Sequence, residues 1–239
     1  MSRCPGAPKL ISANEERRDE SRRGSLKAAP RKAIISQLLT VAVLLLAGCS
    51  TAPEPKKEAA TPKPARTSGA PDVYKVQFVT SKGPLVIEVH REWAPIGADH
   101  FYELVKAGYY NDARFFRVVP QFVAQFGLAA APAVTKRWDK SLDDDPVGHT
   151  NSRGTVAFAT AGKNSRDTQV YINLRSNQIL DDKGFAAFGQ VVEGMESVVD
   201  KLYSRYGEAP DQDEIRRRGN SYLKSRFPRL DYIKTATIL

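Results

Sequence analysis

Cysteine is nearly absent: the 239 residues hold two, Cys4 and Cys49, and none follows them. A disulfide framework and a thiol nucleophile are therefore excluded from everything beyond residue 49. Histidine is scarce as well. His90, His100 and His149 lie scattered, without metal-ligand spacing, so no metal and no cofactor is expected. Asp143, Asp144 and Asp145 run together but lack the alternating oxygen ligands and the late acidic residue of a calcium loop, and a solvated turn is expected there. A charge surplus is missing where it would matter for nucleic acid. The formal net charge is +9, yet residues 72–239 carry 23 Lys/Arg against 21 Asp/Glu, whereas residues 1–48 carry 9 against 4 and residues 49–71 carry 4 against 2. A nucleic-acid binder concentrates Lys and Arg on its domain, and that class is set aside. Long apolar runs are absent too. The main apolar run, residues 33–47, is short for a membrane span and about the length of a signal-peptide core.

That run follows Arg31-Lys32 and meets Leu46-Ala47-Gly48-Cys49. The pattern resembles the bacterial lipobox, in which small residues admit a dedicated peptidase and the cysteine is diacylglycerylated and often N-acylated. A secretory signal with an incidental cysteine, or a retained signal anchor, is the alternative. The lipobox implies a signal peptide at 1–48, with a long n-region and a true start codon expected downstream of Met1. It also implies a mature chain that begins at a lipidated Cys49, anchored by more than one acyl chain as stable attachment requires. Ser50 follows, where an aspartate would suggest retention in the inner membrane. The cell envelope is therefore expected, with the periplasmic face of the outer membrane favoured. Residues 49–71 are rich in Pro, Ala, Lys and Thr and poor in apolar side chains, the composition of a disordered tether.

The remaining residues, 72–239, read as one domain. Residues 72–80 and 85–90 alternate around Ser81-Lys82-Gly83-Pro84 and predict a β-hairpin. Residues 94–108 place Pro95 near a helix start, Phe101, Leu104 and Val105 at helical spacing, and Gly108 at the end, which predicts a helix packed on the sheet. Residues 128–150 read mainly as loop. A second helix is predicted over 195–203, with Met195, Val198, Val199 and Leu202 as its apolar face. Residues 211–228 read as loop with one or two helical turns around Ile215 or Leu223. Residues 230–239 read as a last strand.

Two stretches carry chemistry. The first, Phe115-Phe116-Arg117-Val118-Val119-Pro120-Gln121-Phe122-Val123-Ala124-Gln125-Phe126-Gly127, sets one arginine and two glutamines in an apolar, β-prone run, with Arg117 sharing a face with large apolar groups by strand alternation. An edge strand with Arg117 in solvent reads equally well from this pattern alone. The second is Ala157-Phe158-Ala159-Thr160-Ala161-Gly162, a short polar loop, then Thr168-Gln169-Val170-Tyr171-Ile172, which reads as strand, loop, strand.

In this order and spacing, the two stretches resemble the signatures of the cyclophilin family of peptidyl-prolyl isomerases, over about residues 73–239. The resemblance implies a mainly β fold, a closed eight-stranded antiparallel barrel capped by a helix at each end. It also implies catalysis of X-Pro rotation in exported or envelope proteins, with proline-containing polypeptides as partners. The barrier to be lowered is about 18–20 kcal/mol of amide resonance, and slow X-Pro exchange makes it matter in folding. Arg117 is implied as the donor that stabilises the twisted amide, with Phe122 and Gln125 as the other catalytic positions. Phe122, Val123, Tyr171, Leu180 and Phe185 are implied as the proline pocket, and Ala159, Thr160, Gln169 and Ile179 as the bordering groove. Several positions depart from the best-known eukaryotic pattern: Val123 for methionine, Thr160 for asparagine, Tyr171 for phenylalanine, Phe185 near a histidine, and Ile179 for a tryptophan that helps bind cyclosporin. Low cyclosporin affinity is expected, and a monomer. The alternative function is a non-catalytic proline-peptide-binding or chaperone lipoprotein using the same pocket.

Overall fold

A computed structural model describes residues 69–239; the lipobox, Cys49 and most of the tether lie outside the described residues. The chain enters at Ala70, whose N–H donates to Asp99 Oδ1 at 3.1 Å and whose side chain packs on the core. The last residues assigned to the tether are thus already part of the folded unit. Strand β1 (Val73–Thr80) buries alternate residues, Tyr74, Val76, Phe78 and Thr80, on one face, as a period of two demands. It pairs along its whole length with β2 (Gly83–His90), from Val73 opposite His90 to Thr80 opposite Gly83. The turn is tighter than the sequence suggests: Ser81 and Lys82 form its tip, while Gly83 and Pro84 already belong to β2. Thr80 Oγ1 closes the turn by accepting from the Lys82 N–H and donating to the Gly83 carbonyl.

Helix α1 (Pro95–Lys106) follows, with Phe101, Leu104 and Val105 buried as its spacing predicts. Its N-cap position is Ala94, which offers no side-chain acceptor. The acceptor comes from far along the chain. Asp145 Oδ1 accepts from the Ile96 N–H at 2.9 Å, and Oδ2 accepts from the Gly97 N–H at 2.8 Å and from Arg166 at 2.9 Å. The solvated turn expected at 143–145 is therefore only partly so: Asp145 is buried and Arg166 is 1% exposed.

Strands β3 (Arg117–Val119), β4 (Val123–Phe126), β5 (Thr155–Phe158), β6 (Val170–Asn173), β7 (Ala187–Glu193) and β8 (Ile233–Ile238) complete one antiparallel sheet in the order β3-β4-β6-β5-β7-β2-β1-β8. Its concave core is aromatic. Phe78 meets Phe101, Tyr110 and Phe126 edge-on, and Phe101 and Phe158 each lie against Phe188, a geometry that suits ring quadrupoles. The expected closed barrel is an open, curled sheet here. Its edges meet at one isolated bridge, Arg114 with Tyr232, made by Phe115 N–H to Asp231 O and Ile233 N–H to Ala113 O. No ladder continues from that bridge, because β3 starts after it and spans three residues.

The helices differ from expectation. The loop read at 128–150 contains α2 (Pro132–Trp138), with Pro132 in its first turn, a position that suits proline. Residues 195–203 form no α-helix: turns lead into a short 3-10 segment, Val199–Lys201, with bonds of mixed span, and the adjacent β-branched Val198 and Val199 disfavour a regular helix. The apolar face was nevertheless read correctly, since Met195, Val198, Val199 and Leu202 are all buried. Residues 211–228 hold two helices, α3 (Gln212–Arg218) and α4 (Asn220–Arg226). Asp211 caps α3 by accepting from the N–H groups of Asp213 and Glu214, and three arginines close it, the charge order the helix dipole favours. Ile215, Tyr222, Leu223 and Leu230 bury a second apolar cluster with Phe116 and Leu128. Among the described residues, no helix is long and apolar enough to cross a membrane.

The Asp145 contacts generate a stability prediction. Asp145→Ala removes the nearer and fully buried of the two carboxylates beside Arg166, leaving only Asp144 at 3.6 Å, and uncaps α1, and should lower the unfolding free energy by about 3 kcal/mol. Urea titration beside the exposed Glu92→Ala, expected within about 0.5 kcal/mol of wild type, checks it. Equal midpoints for the two variants would refute the capping role.

Candidate active site

The site forms where β3, β4 and β6 lie side by side. Their register sets Arg117 opposite Gln125, and Gln125 opposite Tyr171. The β3–β4 connection is a three-residue loop, with Gln121 in the left-handed region at φ 59° and the Phe122 N–H donating to Val119 O. Phe122 is thereby presented to Arg117, whose guanidinium carbon lies 5.5 Å from the ring centre, within cation–π range. The chain passes on through Gly127. A Cβ there would stand 2.3 Å from Thr168 O and 2.7 Å from Gln169 Cα, and φ is 110°, so only glycine lets Gln169 approach β4 this closely.

Arg117 is 5% exposed. Its terminal NH1 donates to Gln125 Oε1 at 3.4 Å, and its Nε and NH2 donate to Glu208 Oε1 at 2.8 and 2.5 Å. Gln125 Nε2 donates in turn to Gln169 Oε1 at 3.0 Å, and Gln169 Nε2 is a buried donor without a partner. Beside this polar row lies a separate apolar cluster of Phe122, Val123, Ala157, Ala159, Tyr171, Leu180, Phe185 and Ala187. The expected residues Phe122, Val123, Ala159, Tyr171, Leu180 and Phe185 thus converge. Thr160 is turned into its own loop, donating to Gly162 O and meeting Ser165 Oγ at 2.8 Å. Ile179 is not brought in. It is 46% exposed on a 3-10 turn and outside the cluster, because that turn points Leu180 inward instead.

A polar layer beneath the cluster was not anticipated. Asn151 is its hub: Oδ1 accepts from the Tyr171 hydroxyl at 2.8 Å and from Asn173 at 3.0 Å, and Nδ2 donates to Asp181 Oδ1 at 2.7 Å and to Phe185 O at 2.8 Å. Burial holds the Tyr171 hydroxyl well above the usual tyrosine range, so it remains a donor. Partial burial pushes Asp181 up, but bonds from the Thr150 hydroxyl and from the Asn151 side chain and N–H outweigh it and leave the carboxyl below its ordinary value. On the other flank, Asp167 accepts from the N–H groups of Thr168 and Gln169 and pairs with Arg216 of α3 at 2.6 Å. No motif announces Asn151, Asp167 or Glu208, since each is a single polar residue in a loop whose partner is supplied by the fold. Among the described residues, no three His, Cys, Asp or Glu side chains are grouped to hold a metal.

Asp181 supplies a pH prediction. Its carboxyl lies lower in the folded chain than in the unfolded one, so its contribution is present above about pH 4, the unfolded value, and is lost as pH falls through the folded one. Asp181→Asn should cost about 1 kcal/mol at pH 7, and the gap should close in acid. Thermal unfolding from pH 7 to pH 3 tests this, and a gap constant with pH would rule it out.

Residues 75–218 match the family model described as cyclophilin type peptidyl-prolyl cis-trans isomerase/CLD. Over 133 residues the chain is 36% identical to a peptidyl-prolyl cis-trans isomerase of Acinetobacter baylyi and 35% identical to peptidyl-prolyl cis-trans isomerase A of Dickeya dadantii; each match covers 53% of this chain and 70% of the relative. Among solved structures, a Cryptosporidium parvum cyclophilin type isomerase, crystallised in the presence of the dipeptide Ala-Pro, shares the fold with a TM-score of 0.53. That match is 20% identical and covers 69% of this chain and 98% of the other. The family model spans more than half of the chain and takes in both signature stretches, and the chain belongs to the cyclophilin-type peptidyl-prolyl cis-trans isomerases.

Proposed function

We propose that Arg117 performs the isomerisation by stabilising the twisted amide, and that the clients are proline-containing segments of exported or envelope proteins. The observation that carries this reading is a permanently charged, almost fully buried guanidinium beside Phe122 at the edge of a separate apolar cluster. As the X-Pro bond rotates out of plane, resonance is lost and the proline nitrogen regains a lone pair. A donor aimed at that lone pair lowers the barrier only in the twisted state, which is where a gain in kcat must come from. The prolyl ring fills the cluster around Phe122, Leu180 and Phe185, while Gln125 and the spare donor of Gln169 engage the neighbouring backbone. Water exclusion by Phe122 and Tyr171 strengthens the hydrogen bond. No covalent intermediate or proton transfer is required.

The envelope assignment rests on Leu46-Ala47-Gly48-Cys49 and on the polar tether that follows. Lipidation of Cys49 ties the enzyme to a membrane, the outer membrane being favoured by Ser50, and the tether gives it reach toward chains emerging at the surface.

Two outcomes are expected. In the full chain purified in mild detergent, NMR exchange spectroscopy on an Ala-Pro peptide should show acceleration. This should fall about tenfold or more in Arg117→Ala, equivalent to about 1.4 kcal/mol of transition-state stabilisation. Arg117→Lys should recover little of it, because an ammonium cannot reproduce the planar fork. A wild type that binds the peptide without accelerating exchange would make the protein a binding module. Separately, Cys49→Ala should move the protein from the membrane fraction to the soluble fraction of the expressing bacterium, and unchanged membrane retention would defeat the lipid anchor.

A further inference from the structure

The Arg117 guanidinium is held mainly by a residue outside both signature stretches. Of its five N–H groups, three are engaged, one by Gln125 and two by a single oxygen of Glu208. Glu208 lies 91 residues further on, in the segment between β7 and β8. The turn carrying it is closed by Gly207 N–H to Ser204 O and Ala209 N–H to Tyr206 O. Tyr206 packs edge-on against Tyr203 at 4.9 Å and Phe227 at 5.1 Å, Phe227 packs on Tyr222 at 5.6 Å, and the Tyr222 hydroxyl accepts from the Asp211 N–H. The α3–α4 hairpin therefore fixes where the Glu208 carboxylate stands. The same hairpin reaches the other end of the polar row through Arg216 and Asp167, which carries the N–H groups of Thr168 and Gln169.

We infer that Glu208 is a positioning residue for the isomerase reaction, holding the Arg117 guanidinium in one plane beside Phe122; this rests on the role of Arg117 proposed above. The pairing geometry favours positioning over blockade. Glu208 Oε1 takes the Nε and NH2 groups, the edge nearest the side-chain stem. One NH2 hydrogen, at the far end of the fork, and one NH1 hydrogen stay uncommitted, available to the prolyl nitrogen and the neighbouring carbonyl. A blocking carboxylate would span that far end with both oxygens. The charge balance points the same way. An arginine this buried without a counter-charge would turn toward water or draw water into the pocket, whereas Glu208, 48% exposed, neutralises it while keeping part of its own hydration.

The test uses the full chain in detergent, with Glu208→Ala and the isosteric Glu208→Gln. Both should lower kcat for Ala-Pro exchange about tenfold and leave KM within about twofold, because the pocket that binds the proline is intact. The Arg117 Nε–H signal in 15N NMR, assigned by its loss in Arg117→Lys, should shift and exchange faster with solvent in Glu208→Gln. If Glu208→Ala fails to fold, Glu208→Gln carries both readouts. Unchanged kcat, or an unchanged Nε–H signal, overturns the positioning role, and a rise in kcat shows that the carboxylate obstructs Arg117 instead. A wild type that does not accelerate exchange defeats the isomerase reading itself; an active wild type matched by Glu208→Gln defeats the positioning role alone.

Discussion

A guanidinium at 5% exposure, next to a phenylalanine ring, can stay in place only while its N–H groups find acceptors. Arg117 meets that requirement in two directions. Gln125 comes from the adjacent strand by register, and Glu208 comes from a distant turn. Gln125 is held by Gln169, and Gln169 can approach only because Gly127 has no side chain. The polar row, the loop that presents Phe122, and the apolar cluster beside them are therefore coupled through one buried charge.

The same solution recurs elsewhere: a carboxylate ties together segments remote in sequence. Asp145 joins the start of α1 to Arg166, Asp167 joins the residues leading into β6 to α3, and Asp181 joins the turn after Leu180 to Thr150 and Asn151. With no cysteine among the described residues, these charge-assisted bonds fix loops that no disulfide can staple. They stand on a core of aromatic and aliphatic side chains. Their contribution is to position: each holds a loop against a distant part of the chain.

Much of this was legible beforehand, and the misses have physical causes. The β1–β2 hairpin and α1 carry strong periods of 2 and 3.6, and both formed where those periods place them. Residues 195–203 have a helical spacing of apolar groups but not a helix, since burial of Met195, Val198, Val199 and Leu202 needs only that they face inward, which irregular turns also achieve. The reverse happened at 211–228, where mixed charge concealed two helices whose capping residue, Asp211, and basic ends were present in the sequence. The curled sheet meets its own edges at one bridge because β3 is short, and strand length at an edge is decided by what it packs against.

The sequence by itself determined the identities and spacing of the candidate site residues: Arg117, Phe122 and Gln125 within nine residues, and Ala159, Gln169 and Tyr171 around one loop. Strand alternation and short-loop geometry are local, so residues this close carry their relative placement with them. The tertiary structure alone decided the partner of Arg117, the cap of α1, the outward turn of Ile179 and the hub at Asn151. Apart from the turn at Ile179, each depends on bringing together residues tens of positions apart, and a lone Glu, Asp or Asn in a loop has no periodicity to reveal which buried donor it will meet.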